Sequence, residues 1–227
     1  SVFLSPVTLP KVNSNQGVEA PDIAVDEGDH LYVVWAELNG SDRNVRLVRS
    51  DDSGASFGSS GSGFAVSGNV DMTQPRVAGG RDGELFLCFI GDDGDERTLW
   101  ATFTRSGYGM SDPIDLSSSE SGNLYEPCIA AYEQDDSDDQ TVIVAWNSGN
   151  AYGGNIRMKA SPDSGDSYSA DHVQVSEGNT QNSSNRRPVI AMHEEKFIVA
   201  WDGQPAGGGV VRTWTSSCEY ELTDEGD

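Results

Sequence analysis

The strongest constraint on this chain is a long internal repeat. Aligned on a proline followed by an apolar pair, four segments superimpose: "PDIAVDEGDHLYVVWAE" from Pro21, "PRVAGGRDGELFLCFIG" from Pro75, "PCIAAYEQDDSDDQTVIVAWN" from Pro127 and "PVIAMHEEKFIVAWDG" from Pro188, at intervals of 54, 52 and 61 residues. Each reads as a short strand, a polar turn and a second strand rich in Val, Ile, Phe and Trp, which is the pattern of a β-hairpin rather than a helix. A third strand follows in every unit ("NVRLVRS", "TLWATFT", "NIRMKAS", "VVRTWTS"), and a weaker fourth in "GFAVSG" and "DHVQVS". No stretch carries a convincing helical period.

Four strands per unit at a period of about 50 residues is the pattern of propeller blades, small sheets that bury their faces against one another around an axis. The predicted fold is all-β: one β-propeller domain over residues 1–227, with blades at approximately 21–70, 75–120, 127–178 and 188–227 plus 1–12. In that last blade "TDEGD" would continue into "SVF", and "SPVTLP" would supply the fourth strand, so that the N-terminal segment closes the ring. The alternative is that the four blades are a segment of a larger propeller, whose sheet edges would be left open. A chain of this length buries roughly 70% of its unfolded surface, enough to fold without disulfides or metals. Cys88, Cys128 and Cys218 form no C-x-x-C pair and read as small buried apolar residues.

A second, shorter repeat marks the reversal after the third strand. "SDDSGASF" (Ser50, Asp52, Gly54, Phe57) and "SPDSGDSY" (Ser161, Asp163, Gly165, Tyr168) share the form S-x-D-x-G-x-S-aromatic. A motif used in successive units is an architectural device. Its Asp can accept hydrogen bonds from nearby backbone N–H groups, its Gly can take positive φ, and its aromatic ring can pack back on the blade. These turns resemble the Asp-box (BNR) repeats of the sialidase-like propellers. The second unit, "TRSGYGMS", keeps the glycine and loses the Asp, and the fourth has no box.

The formal net charge is −23, with 14 basic residues against 37 acidic ones. Such a field repels phosphate, which argues against nucleic acid and anionic membranes as partners. Acidic excess with only Lys11, Lys159 and Lys196 also suits a protein kept soluble in high salt, where screening weakens repulsion among carboxylates. No apolar run approaches the ~20 residues that span a bilayer, so membrane insertion is not expected. With neither an initiating Met nor a signal peptide, the chain reads as a mature or excised piece.

Strands alternate direction within a blade, so loops leading into the first strand share a face with loops between the second and third. On that axial face a propeller gathers side chains from every blade. The first set carries Glu19, Asp71, Gln74, Tyr125, Glu126, Arg186 and Arg187; the second carries Glu37, Asp92, Asp93, Asn147, Tyr152 and Asp202. Carboxylates, amides, arginines and tyrosines together suit a polyhydroxylated ligand. The expected ligand-binding residues are Glu19, Glu37, Asp71, Gln74, Tyr125, Glu126, Arg186, Arg187 and Asp202.

Sialidase chemistry, as the resemblance implies, needs an arginine triad, a Tyr activated by a Glu, and an acid/base Asp. Arg187, Tyr125, Glu126 and Asp71 are of the right types, but the family's N-terminal Arg-Ile-Pro element is missing and "RRPV" at Arg186 is a loose echo in another blade. The leading expectation is therefore an extracellular or cell-surface, non-catalytic propeller that recognises carbohydrate or a partner protein. The alternatives are a sialidase-like glycoside hydrolase and a structural module of a larger surface protein or filament. No cofactor is expected. Calcium is considered only for the acidic hairpin "EQDDSDDQ" at residues 133–140, which lacks the Gly and closing Glu of an EF-hand loop. His30, His172 and His193 stand apart from one another without metal-ligand spacing.

Overall fold

In the computed structural model the described residues are 5–9, 17–58, 70–81, 83–106, 109–118, 123–133, 139–150, 153–176, 185–193, 196–203 and 212–219. They form fourteen strands in four antiparallel sheets. Sheet 1 holds β1 (Val18–Val25), β2 (Leu31–Asn39) and β3 (Asp42–Ser50). Sheet 2 holds β4 (Asp71–Gly79), β5 (Leu85–Asp92), β6 (Arg97–Thr104) and the two-residue β7 (Ile114–Asp115). Sheet 3 holds β8 (Asn123–Glu133), β9 (Gln140–Asn150), β10 (Gly153–Ser161) and the short β11 (Val173–Gln174). Sheet 4 holds β12 (Arg186–His193), β13 (Lys196–Gly203) and β14 (Arg212–Glu219). Each sheet is a meander in which every strand pairs with the next in sequence, as predicted for a propeller blade. No helix among the described residues is long and apolar enough to cross a membrane.

The sheets stack face to face in sequence order, and three apolar seams hold them. Tyr32, Val34 and Val45 of sheet 1 meet Met72, Val77, Leu85, Leu87 and Phe89 of sheet 2. The other face of sheet 2, through Cys88, Ile90, Leu99 and Ala101, meets Leu124, Val144 and Trp146 of sheet 3. Ile143, Ala145, Ile156 and Met158 of sheet 3 then meet Phe197, Val199 and Trp201 of sheet 4. In sheets 2 and 3 the alternation of side chains along β5 and β9 feeds two seams at once, which is why these strands read as continuous apolar runs. The innermost strands β1, β4, β8 and β12 lie side by side in that order, and among the described residues no corresponding packing of β12 on β1 is present. Of the segments expected to close the ring, 1–4, 10–12 and 220–227 lie outside the described residues, as does "GFAVSG" at 63–68, while residues 5–9 of "SPVTLP", expected to supply the fourth strand of the last blade, form no strand.

Both Asp-containing turns are hydrogen-bonded knots. Ser50 Oγ donates to Asp52 Oδ1 at 2.8 Å and accepts from the Gly54 N–H at 2.9 Å, while the Ser56 N–H reaches Asp52 at 2.7 Å. The second turn repeats this: Ser161 to Asp163 at 2.7 Å, Gly165 N–H to Ser161 at 2.8 Å, Ser167 N–H to Asp163 at 2.9 Å. Gly54 and Gly165 adopt φ of 86° and 84°, the left-handed region that a Cβ disfavours. The donors from Ser56 and Ser50 pull the exposed Asp52 carboxyl down to about 2. Cys88 and Cys128 are buried free thiols, as expected, and burial raises both, Cys128 to about 12.

Candidate functional site

The four inner strands carry one local device. Ladder register shifts between Glu19 and Asp22, Thr73 and Arg76, Tyr125 and Cys128, and Arg186 and Val189, so each strand bulges at its proline. Proline has no N–H for the ladder and is accommodated where a bulge breaks pairing. It also bars the residue before it from the right-handed region. That residue takes positive φ in all four sheets: Ala20 at 50°, Gln74 at 52°, Glu126 at 53° and Arg187 at 52°. Recurrence at equivalent positions marks the strain as architectural. Its effect is to re-aim one side chain per sheet.

Those re-aimed side chains stitch neighbouring sheets around the axis. Gln74 Oε1 accepts the Glu126 N–H at 2.6 Å, and Glu126 Oε2 accepts the Arg187 N–H at 2.8 Å. Glu126 Oε1 is also bound by Arg186 Nη2 at 2.9 Å, and Arg187 pairs with Asp202. Ala20 has no acceptor to offer, and sheet 1 uses Asp22 in its place: Asp22 Oδ2 accepts the Val77 N–H at 3.0 Å. Between these strands lies a cavity of about 560 Å³, lined among others by Asp22, Gln74, Arg76, Glu126, Cys128 and Arg187. The residue after each proline (Asp22, Arg76, Cys128, Val189) and three of the four residues before it line this space.

The expected site residues divide accordingly. Gln74, Glu126 and Arg187 line the cavity, and Arg186 and Asp202 are tied to it through their ion pairs. Glu19 and Asp71 form a second group at the strand starts, both held by Arg43, with Nε 2.8 Å from Glu19 and Nη1 2.7 Å from Asp71. Tyr125 lies under the Arg97 guanidinium, 4.3 Å from ring centre to Cζ, and does not line the cavity, so the Tyr–Glu pair is not presented there as a unit. Glu37 is fully buried beside Arg46 instead of standing on the axial face. The residues expected on loops leading into the first strands, Glu19, Asp71, Gln74, Tyr125, Glu126, Arg186 and Arg187, stand on the strands themselves, because the bulge lets pairing continue upstream of the proline. Tyr152 and residues 134–138 of the acidic hairpin lie outside the described residues. Among the described residues no group of three or more His, Cys, Asp or Glu is placed to hold a metal ion.

Sequence reasoning missed Asp22, Arg76 and Arg43. For the first two a signal was available: the position after the proline is Cys128 and Val189 in two units but Asp22 and Arg76 in the others. Charge at an otherwise apolar repeat position is what a ligand-facing residue looks like.

No family model matches the chain, and no curated protein matches it by sequence. Solved structures do match. The GH93 α-L-arabinofuranosidase of Fusarium graminearum, in complex with arabinobiose, superposes with a TM-score of 0.65 at 13% identity, over 92% of this chain and 65% of that one. The α-L-arabinanase of Penicillium chrysogenum, also with arabinobiose, gives 0.64 at 13% identity, over 89% and 63%. The Trypanosoma rangeli sialidase with the inhibitor DANA gives 0.57 at 12% identity, over 90% and 36%. The chain thus spans less than two thirds of the length of each of these enzymes. The fold is a β-propeller arrangement of the kind found in sialidases and arabinanases. The expectation of a non-catalytic recognition propeller is corrected here by these matches, which are an arabinofuranosidase, an arabinanase and a sialidase.

Proposed function

We propose that the chain is a glycoside hydrolase of the sialidase-like propeller type, and that its axial cavity holds the sugar. One observation carries the reading: four consecutive sheets deliver Asp22, Arg76, Gln74, Glu126 and Arg187 to one cavity of about 560 Å³, within the range of small-molecule sites. Glycosidic cleavage needs two carboxyl groups, one to protonate the leaving oxygen and one to attack the sugar or activate water. Asp22 and Glu126, from sheets 1 and 3, are the carboxylates that line the cavity. Arg76 and Arg187 supply guanidinium donors for hydroxyl or carboxylate groups of the glycan, and Gln74 fixes the backbone of Glu126. Tyr125, stacked on Arg97, takes no part in this assignment.

The test is turnover of arabinobiose, an aryl α-L-arabinofuranoside and an aryl sialoside by the purified chain in saline buffer, with Asp22→Asn and Glu126→Gln beside it. Loss of either carboxylate should reduce kcat/KM by at least about 100-fold, the lower end of what general acid–base catalysis contributes. Absence of turnover of all three by the wild type, or variants as active as the wild type, would remove the proposal.

A further inference from the structure

The four sheets repeat one packing relation three times, and among the described residues the two ends of the series carry its uncovered halves. The position three residues after each proline is an alanine, Ala24, Ala78, Ala130 and Ala191, and opposite it across the ladder stand Tyr32, Phe86, Ile143 and Ile198. In sheets 1 to 3 this second-strand residue is on the face turned toward the following sheet, and it is 0%, 1% and 2% exposed for Tyr32, Phe86 and Ile143. In sheet 4 its counterpart Ile198 is 48% exposed, and Val189 beside it on the same face is 60% exposed. The opposite end shows the complementary defect. The position two residues after each proline, occupied by Ile23, Val77, Ile129 and Ile190, faces the preceding sheet; Val77 is 6% exposed in the seam with sheet 1, whereas Ile23 is 60% exposed. Val25, on the same face as Ile23, is 53% exposed.

Large exposed apolar side chains gathered on a sheet face mark a contact surface. Here continuity with the three existing seams says what fits: the free face of sheet 4 is built to receive a sheet with the face that sheet 1 leaves open. We propose that the chain associates head to tail with a second copy of itself, the Ile198 and Val189 face of one copy covering the Ile23 and Val25 face of the next. The contact is heterologous, so the rotation between copies decides whether it closes into a ring or runs on. At a net charge of −23 per copy, repulsion opposes it, and screening by salt strengthens it, opposite to the salt response of an ion-paired interface.

Sedimentation velocity on the wild type, Ile23→Glu and Ile198→Glu at low and molar salt tests this. Both substitutions are at exposed positions, and circular dichroism and melting should match the wild type. The wild type should associate with rising concentration and salt. Each variant alone should be monomeric, because every contact requires one face of each kind. An equimolar mixture of the two variants should form a dimer that grows no further, since Ile198→Glu keeps the sheet 1 face and Ile23→Glu keeps the sheet 4 face. A wild type that stays monomeric in molar salt overturns the proposal, as do variants that associate like the wild type or a mixture that stays monomeric.

Discussion

Asp26 is a buried carboxylate that joins two sheets at the end of the β1–β2 hairpin. Its side chain accepts the His30 N–H at 2.9 Å, the His30 ring Nδ1 at 2.9 Å, the Tyr32 hydroxyl at 2.9 Å and, from the β4–β5 turn of sheet 2, the Gly83 N–H at 2.8 Å. In Asp26→Ala the Tyr32 hydroxyl and the Gly83 amide are left buried without this acceptor, at about 1–3 kcal/mol each, while the partly exposed His30 can turn to water. The expected loss is about 3–5 kcal/mol, a fall in Tm on the order of 10 °C for a chain of this size. Asp26→Asn keeps one acceptor oxygen and sets an amide N–H against a donor, so its loss should be about half as large. Burial alone would raise the Asp26 carboxyl, but donors from His30, Gly83 and Tyr32 outweigh it and hold it below its ordinary 3.8. A carboxyl lower in the folded than in the unfolded chain stabilises above the unfolded value, and that stability is lost as pH falls through the folded one. Urea unfolding from pH 7 to pH 2 should therefore show wild-type stability declining below about pH 4, and a flatter curve there for Asp26→Asn. An Asp26→Ala chain within about 0.5 kcal/mol of the wild type, the ordinary range for surface changes, would refute the reasoning.

Gln74→Leu removes the acceptor for the Glu126 N–H and should cost about 1 kcal/mol of stability; if Gln74 positions Glu126, kcat should fall further than stability explains, and Gln74→Glu, which keeps an acceptor, should restore most of it. Cys88, fully buried and with its thiol raised, should resist an aromatic disulfide reagent at pH 8 in the folded chain and react after unfolding, as read by peptide mapping; labelling of Cys88 in the native state would contradict its packing.

The fold was legible because its period is carried by residues with fixed backbone consequences. Proline at Pro21, Pro75, Pro127 and Pro188 sets the phase, and β5 and β9 are apolar on both faces because sheets 2 and 3 each have a neighbour on each side. The site was only partly legible, and the same prolines explain why. A proline ordinarily ends a central strand, so Glu19, Gln74, Glu126 and Arg187 read as loop residues, whereas a bulge carries pairing past it. Asp22 and Arg76 were hidden by treating the following position as uniformly apolar. The burial of Glu37 beside Arg46 is a property of which face meets which neighbour, and alternation along β2 alone does not carry it.

The four kinked pre-proline positions separate scaffold from chemistry. Backbone course there is dictated by the ring that follows, and the kink is tolerated with alanine, glutamine, glutamate or arginine alike. Each sheet therefore offers one address at the hub whose occupant can be exchanged by a single codon without redrawing the backbone. A lineage built on this plan could change what it grips one spoke at a time, and glutamine for alanine at residue 20 would be one such step.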